Sequence, residues 1–279
     1  MIGFMMIKNF GRNKPRTAEK ARTDPGFFLA VLYAIIPRHL NRSKKMHKIL
    51  IGCECSGTVR DAFQERGFDA WSCDIKPSET PTNSHLQMDV REALREFEWD
   101  MFLCAHVPCT RLANSGVRWL NSPAPGKTKE QMWAELREGA RLFRDMLDAD
   151  IPAIAVENPI MHKHAKRLIW GDDYEKLSRN DGTFIRTSQH PYQFAQSIDS
   201  PDNQTKLTHF WIKNLPALKP TSDLSKETAR ADCHNAPPGP NRAADRSRFH
   251  RGMSAAMARQ WGDWILANVR PRSRGYVAA

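Results

Sequence analysis

Lys48-Ile49-Leu50-Ile51-Gly52-Cys53-Glu54-Cys55-Ser56-Gly57, running on through Val59, Ala62, Phe63 and Gly67 to Ala70-Trp71-Ser72-Cys73-Asp74, decides the fold. The first five residues predict a buried strand, and a loop of small and polar residues, Cys53–Gly57, follows directly. Val59, Ala62 and Phe63 recur at helical spacing before Gly67 ends the turn. Ala70–Asp74 is a second apolar run with an acid at its end. Strand, small loop, helix, strand, acid is the order of a nucleotide-binding α/β unit. There the loop lets the backbone approach the ligand, and an acid about 20 residues on accepts hydrogen bonds from ribose hydroxyls. Asp74 lies 22 residues after Gly52. The loop is not a full GxGxxG, so taken alone it also fits an ordinary strand-to-helix turn.

Further along, Leu86–Val90 brings a second acid, Asp89, just before a short helix around Arg91–Phe97. Met101-Phe102-Leu103-Cys104-Ala105 predicts a buried strand ended by Pro108, which leaves Cys109 at its carboxyl end. Open α/β sheets bind ligands there, although a buried structural thiol is the bland reading of one cysteine. Ala153-Ile154-Ala155-Val156-Glu157-Asn158-Pro159 is a second such run, ending in a carboxylate. A thiol and an acid then stand at neighbouring strand ends. Between them lie the Pro123–Lys127 loop and a helix with Trp133, Leu136, Ala140, Phe143 and Leu147 on one face, which is core. Gln204–Ile212 predicts a further strand, residues 214–245 are Pro-rich and loop-like, and a last helix around Ser254–Ala267 has Met257, Trp261 and Ile265 on one face.

A chain of 279 residues can bury a sizeable core. Its net charge of +11 is uneven: residues 1–45 hold 10 Lys/Arg against 2 Asp/Glu, which leaves 32 against 29 for the rest. The late arginines Arg242, Arg246, Arg248, Arg251, Arg259, Arg270, Arg272 and Arg274 suit either phosphates or a solvated face. The six cysteines form no CxxC pair, so reduced thiols in a cytoplasmic protein are expected. His162-Lys163-His164 without a partner pair predicts no metal site. The apolar stretch Gly26–Ile36 is shorter than the roughly 20 residues a bilayer span needs. The expected organisation is a basic, poorly ordered extension 1–45, an α/β catalytic domain 46–213, a Pro-rich region 214–247, and a closing helix and basic tail 248–279.

In this order the residues resemble the DNA cytosine-5 methyltransferase family in its short, divergent phage and prophage form. Gly52–Gly57 with Phe63 and Gly67-Phe68 matches the family's first loop, and Asp74 and Asp89 its ribose and adenine acids. Pro108-Cys109 with Ser115-Gly116 matches the nucleophile loop, and Glu157-Asn158-Pro159 the acid motif. Gln204-Thr205-Lys206-Leu207-Thr208 resembles the Gln-x-Arg-x-Arg strand, and Gly252-Met253-Ser254 with the helix to Leu266 the closing element. Lys206 and Thr208 replace two arginines, Thr110 a glutamine and Met253 an asparagine. Fewer than 40 residues separate Trp211 from Arg248, where the family usually holds a sizeable recognition domain.

The resemblance implies a Rossmann-like α/β fold with a small C-terminal appendage, S-adenosylmethionine as cofactor, DNA as partner, no metal, no membrane and a monomer. It implies Cys109, Glu157 and Lys206 as catalytic residues. Gly52, Cys53, Glu54, Ser56, Gly57, Asp74, Ile75, Asp89, Val90, Pro108 and Ser254 fall to the cofactor, and Asn158, Gln204, Thr208, Arg111 and Ser115 to the substrate. Cytosine C5 becomes nucleophilic when a thiolate adds at C6, and a thiol with pKa of about 8.5 supplies that thiolate where a serine does not. Glu157, with its pKa raised by burial, is expected to hydrogen-bond N3. A base inside a duplex has to be flipped out or presented single-stranded. RNA or a nucleotide as acceptor, and a non-catalytic DNA-binding decoy, stay open. A zinc deaminase is disfavoured because residue 112 is leucine where a second cysteine is needed.

Overall fold

The computed structural model describes residues 46–107, 110–239 and 242–272. The expected extension 1–45, the end of the basic tail, and Pro108 and Cys109 lie outside them.

Strands β1 (Lys48–Gly52), β2 (Asp69–Asp74), β3 (His85–Gln87), β4 (Met101–Cys104), β5 (Ala153–Asn158), β6 (Ile185–Gln189) and β7 (Thr208–Lys213) form one sheet of order β3-β2-β1-β4-β5-β7-β6. The first five are parallel, and β7 runs antiparallel to both β5 and β6. Apart from Lys48 at the start of β1 and Glu157-Asn158 at the end of β5, the central strands are apolar because helices cover both faces, as parallel sheets require. Strand order reverses between β1 and β4, and that switch point opens a crevice at the carboxyl ends of the strands.

Among the described residues the α-helices are α1 (Thr58–Gln64), α2 (Val90–Glu96), α3 (Lys129–Leu147), α4 (Lys163–Trp170), α5 (Tyr174–Leu177), α6 (Asp232–Asn235), α7 (Arg242–Ser247) and α8 (Arg251–Asn268). On one face Leu50, Phe102, Ile154 and Trp211 pack with Met132, Leu136 and Phe143 of α3 and Ala165 and Trp170 of α4. On the other, Ile49, Ile51, Leu103, Ala155 and Phe210 pack with Val59 and Phe63 of α1 and Met257, Trp261 and Ile265 of α8. Each fully buried large apolar side chain contributes roughly 1.5–3 kcal/mol, so these two layers hold the sheet. A capping box starts α3: the Thr128 hydroxyl accepts from the Gln131 N–H, and the Gln131 amide oxygen from the Thr128 N–H.

The structure adds α4 and α5, which no sequence pattern announces, and places the short helices α6 and α7 in and at the end of the stretch read as loop-like; two strands differ as well. The strand expected over Gln204–Ile212 begins only at Thr208, because Gln204 leaves the sheet to bridge to Arg230, whose carbonyl accepts from the Thr205 N–H at 2.7 Å. Strand β6 is also present, at the sheet edge, where Ile-Arg-Thr-Ser-Gln carries no apolar run to announce it. Among the described residues no helix is long and apolar enough to cross a membrane, and no group of three or more His, Cys, Asp or Glu is placed to hold a metal.

Candidate active site

Sheet register brings the expected residues to one end. Gly52 pairs with Cys73 on one side and Cys104 on the other, Cys104 with Val156, and Glu157 with Phe210. The ends of β1, β2, β4 and β5 and the start of β7 therefore form one row.

The first loop is built around a buried carboxylate. Glu54 is withdrawn from solvent and accepts from the N–H groups of Val59 (2.8 Å) and Arg60 (3.2 Å) and from the Ser56 hydroxyl (3.2 Å). Burial pushes its pKa up, with those hydrogen bonds opposing. It thus satisfies donors at the start of α1 and shapes the loop, with its carboxylate already committed. Gly57 sits at φ +76°, and a Cβ there would lie 2.2 Å from the Arg60 guanidinium, so only glycine fits. The N–H groups of Cys55, Ser56 and Gly57 have no acceptor among the described residues, leaving a row of donors at the crevice. Gly52 is small for another reason: a Cβ would lie 2.7 Å from both Phe102 and Val90. Arg60, which the sequence did not single out, is buried and bonds Asp61, Ser72 (2.8 Å) and Thr80 (3.2 Å), tying α1 to β2 and its following loop.

Asp74 ends β2 half-buried, with one carboxylate oxygen accepting from the Lys76 N–H at 2.9 Å, and Ile75 beside it is 73% exposed. Asp89 caps α2 by accepting from the Arg91 N–H, and Val90 is buried. A donor row, a strand-end carboxylate and an exposed apolar side chain suit a nucleoside with a polar tail, and these residues fit S-adenosylmethionine. Ser254 fits less directly, since its hydroxyl donates to the His250 carbonyl within the start of α8.

On the acid side, Glu157 is 3% exposed, and burial pushes its carboxyl to about 7 against the opposing Lys206 cation. Asn158 is fully buried; its amide donates to the Pro159 carbonyl, while its Oδ1 has no partner among the described residues. Thr208 is buried at the start of β7, and its hydroxyl leans toward the Lys206 carbonyl. Both amide atoms of Gln204 are taken by Asp232, so this residue fastens the 214–247 region to the segment leading into β7.

The segment from Thr110 to Gly116 is anchored on the loop after β5. Ala113 bridges to Met161, the Asn114 N–H donates to the Ile160 carbonyl, and the His162 N–H to the Leu112 carbonyl. His162 Nε2 donates to the Arg111 carbonyl while its Nδ1 accepts from the Ala165 N–H, which makes it a structural cap of α4. A Cβ on Gly116 would lie 1.8 Å from the Thr110 carbonyl oxygen, so the loop closes tightly only with glycine. Arg111 pairs with Glu135 at 2.7 Å and Ser115 is exposed.

His106, two residues past β4, was not anticipated. Its Nε2 is buried without a hydrogen-bond partner among the described residues, and its ring lies 5.1 Å from that of Phe249. Phe249 in turn meets Phe210, the register partner of Glu157. Burial, with the Lys206 cation adding to it, pushes His106 well below the usual imidazole range. A lone histidine between a buried strand and a proline gave no distinguishing pattern.

The sheet order with its reversed last pair, and donors and acids gathered at the switch point, define a Rossmann-like fold of the S-adenosylmethionine-dependent methyltransferase kind. No protein-family model matches the sequence, and no curated protein is similar to it. Among solved structures, one described as a DNA modification methyltransferase encoded within a prophage (E. coli) overlaps 60% of this chain and 46% of its own at 11% identity and TM-score 0.36. The Entamoeba histolytica methyltransferase EhMeth overlaps 70% and 61% at 12% identity and TM-score 0.35. The S. pombe Dnmt2 methyltransferase overlaps 68% and 55% at 11% identity and TM-score 0.34. The chain thus spans roughly half the length of these structures.

Proposed function

We propose that this protein transfers a methyl group from S-adenosylmethionine to C5 of cytosine in DNA, through a covalent bond between Cys109 and C6. The observation that carries the reading is Glu157: a buried carboxyl at the carboxyl end of β5, holding its proton up to about pH 7. A carboxylic acid that stays protonated near neutrality, beside strand ends that suit a nucleoside, is what N3 of a cytosine needs.

Cys109 as thiolate adds to C6, forming the S–C6 bond, and the C5–C6 electron pair moves into the ring. Glu157 gives its proton to N3, so the ring does not accumulate negative charge. Lys206, whose charge is felt at Glu157, steadies the carboxylate that results. Asn158 offers its unpartnered Oδ1 to the exocyclic amine of the base. Asp74 would hold the cofactor's ribose, Ile75 and Asp89 its adenine, and the N–H groups of residues 55–57 its amino-acid end. When bound, the cofactor supplies an electrophilic methyl group to C5.

The test is incorporation of radiolabelled methyl groups into duplex DNA, single-stranded DNA and RNA, followed by digestion to nucleosides. Label in 5-methyldeoxycytidine supports the reading. Label in N4-methylcytosine, N6-methyladenine or RNA alone overturns it, and S-adenosylmethionine binding without any transfer leaves a decoy.

A further inference from the structure

A methyl group placed on C5 leaves that carbon bearing both a methyl and a proton, and the product forms only when the proton leaves. Glu157 serves N3 and does not serve this step. Around it, Lys206 is a cation with no lone pair to offer, and Asn158 and Thr208 are too weakly basic. His106 differs. It follows β4 at the same end of the sheet, its ring contacts reach Phe210 through Phe249, and Phe210 faces Glu157 across the β5–β7 pair. The charge of Lys206 is felt at both His106 and Glu157. A buried imidazole nitrogen without a partner is costly unless a ligand meets it.

We propose that His106 is a further catalytic residue, the base that takes the C5 proton in the step releasing Cys109. The proposal rests on the cytosine-5 reading above. The C5–H bond breaks and its proton goes to Nε2, converting imidazole to imidazolium. The electron pair of that bond forms C5=C6, the C6–S bond breaks, and its pair returns to Cys109 as thiolate. The N3 proton then returns to the carboxylate of Glu157. Burial and Lys206 keep the imidazole neutral and able to accept, and the Glu157 carboxylate formed earlier offsets the new positive charge.

His106→Gln separates this step from the earlier ones. On DNA with ordinary cytosine, the variant is expected to transfer about one methyl group per enzyme and to accumulate a denaturation-resistant adduct, with turnover down about 10²-fold or more. On DNA with 5-fluorocytosine, where C5 holds no proton to remove, it should trap as fast as wild type. Trapping lost together with turnover, while S-adenosylmethionine binding is kept, assigns His106 an earlier role and overturns the proposal, as does unchanged turnover. His106→Asn is read the same way if the glutamine variant does not fold. Absence of trapping by the wild-type protein fells the cytosine-5 reading itself, and the role of His106 with it.

Discussion

Glu157 holds its proton to about pH 7 because burial penalises the carboxylate more than Lys206 rewards it. A carboxyl with a folded-state pKa above its unfolded value of about 4.3 binds an extra proton when folded. Stability therefore falls as pH rises from about 4.3 through 7, and the penalty is fully present above 7. Glu157→Gln, which carries no charge, should be more stable than wild type at pH 8 by roughly 1–3 kcal/mol and about equal at pH 4, as read by urea unfolding at both pH values. The same variant should lose nearly all methyl transfer, so stability and activity move in opposite directions. Glu157 and Asp74 were legible in the sequence because each is an acid that ends an apolar run. His106 and Arg60 were not, since only the folded chain shows one nitrogen buried unpartnered and one guanidinium tying a helix to the neighbouring strand. Gln204 was matched by its place in the chain, but the fold gives its amide to Asp232.

Helix α8 closes one face of the sheet, and its first turn is fastened by Asp202. The carboxylate of Asp202 accepts from the Gly252 N–H at 2.6 Å and faces His250 Nδ1 at 3.3 Å. Burial alone would raise this group, but the hydrogen bonds from His250 and Gly252 outweigh it and hold its pKa below the usual carboxylate range. A depressed folded-state pKa contributes stability above the unfolded value of about 3.9, and that contribution is lost as pH falls below it. Asp202→Asn should cost about 1–3 kcal/mol at pH 7, and the gap to wild type should narrow toward pH 3, by the same unfolding measurement. The central strands and both long helices were legible because burial on two faces writes continuous apolar runs and burial on one face writes a helical stripe. β6 was not, because a polar edge strand takes its conformation from pairing with β7.

Across the whole molecule, the strand-loop-helix-strand unit at residues 48–74 implied β1 and β2 as parallel neighbours, whereas the placing of β4 and β5 on the far side of β1 is seen only in the folded sheet. The antiparallel insertion of β7 between β5 and β6 was not implied by any local pattern. The region between β7 and α8 is short, and within it Asp232 is spent on Gln204. A region this short offers little surface to read base edges, so methylation mapped on random-sequence DNA should specify few positions, and a long defined site would contradict this. The most direct measurement is a trapping assay: wild type and Cys109→Ser, each with S-adenosylmethionine and DNA carrying 5-fluorocytosine, run on a denaturing gel. Fluorine blocks the last elimination, so wild type should form a denaturation-resistant adduct and Cys109→Ser should form none. Wild-type protein that binds S-adenosylmethionine yet forms no adduct on any strand state of DNA would contradict cytosine-5 methylation through Cys109.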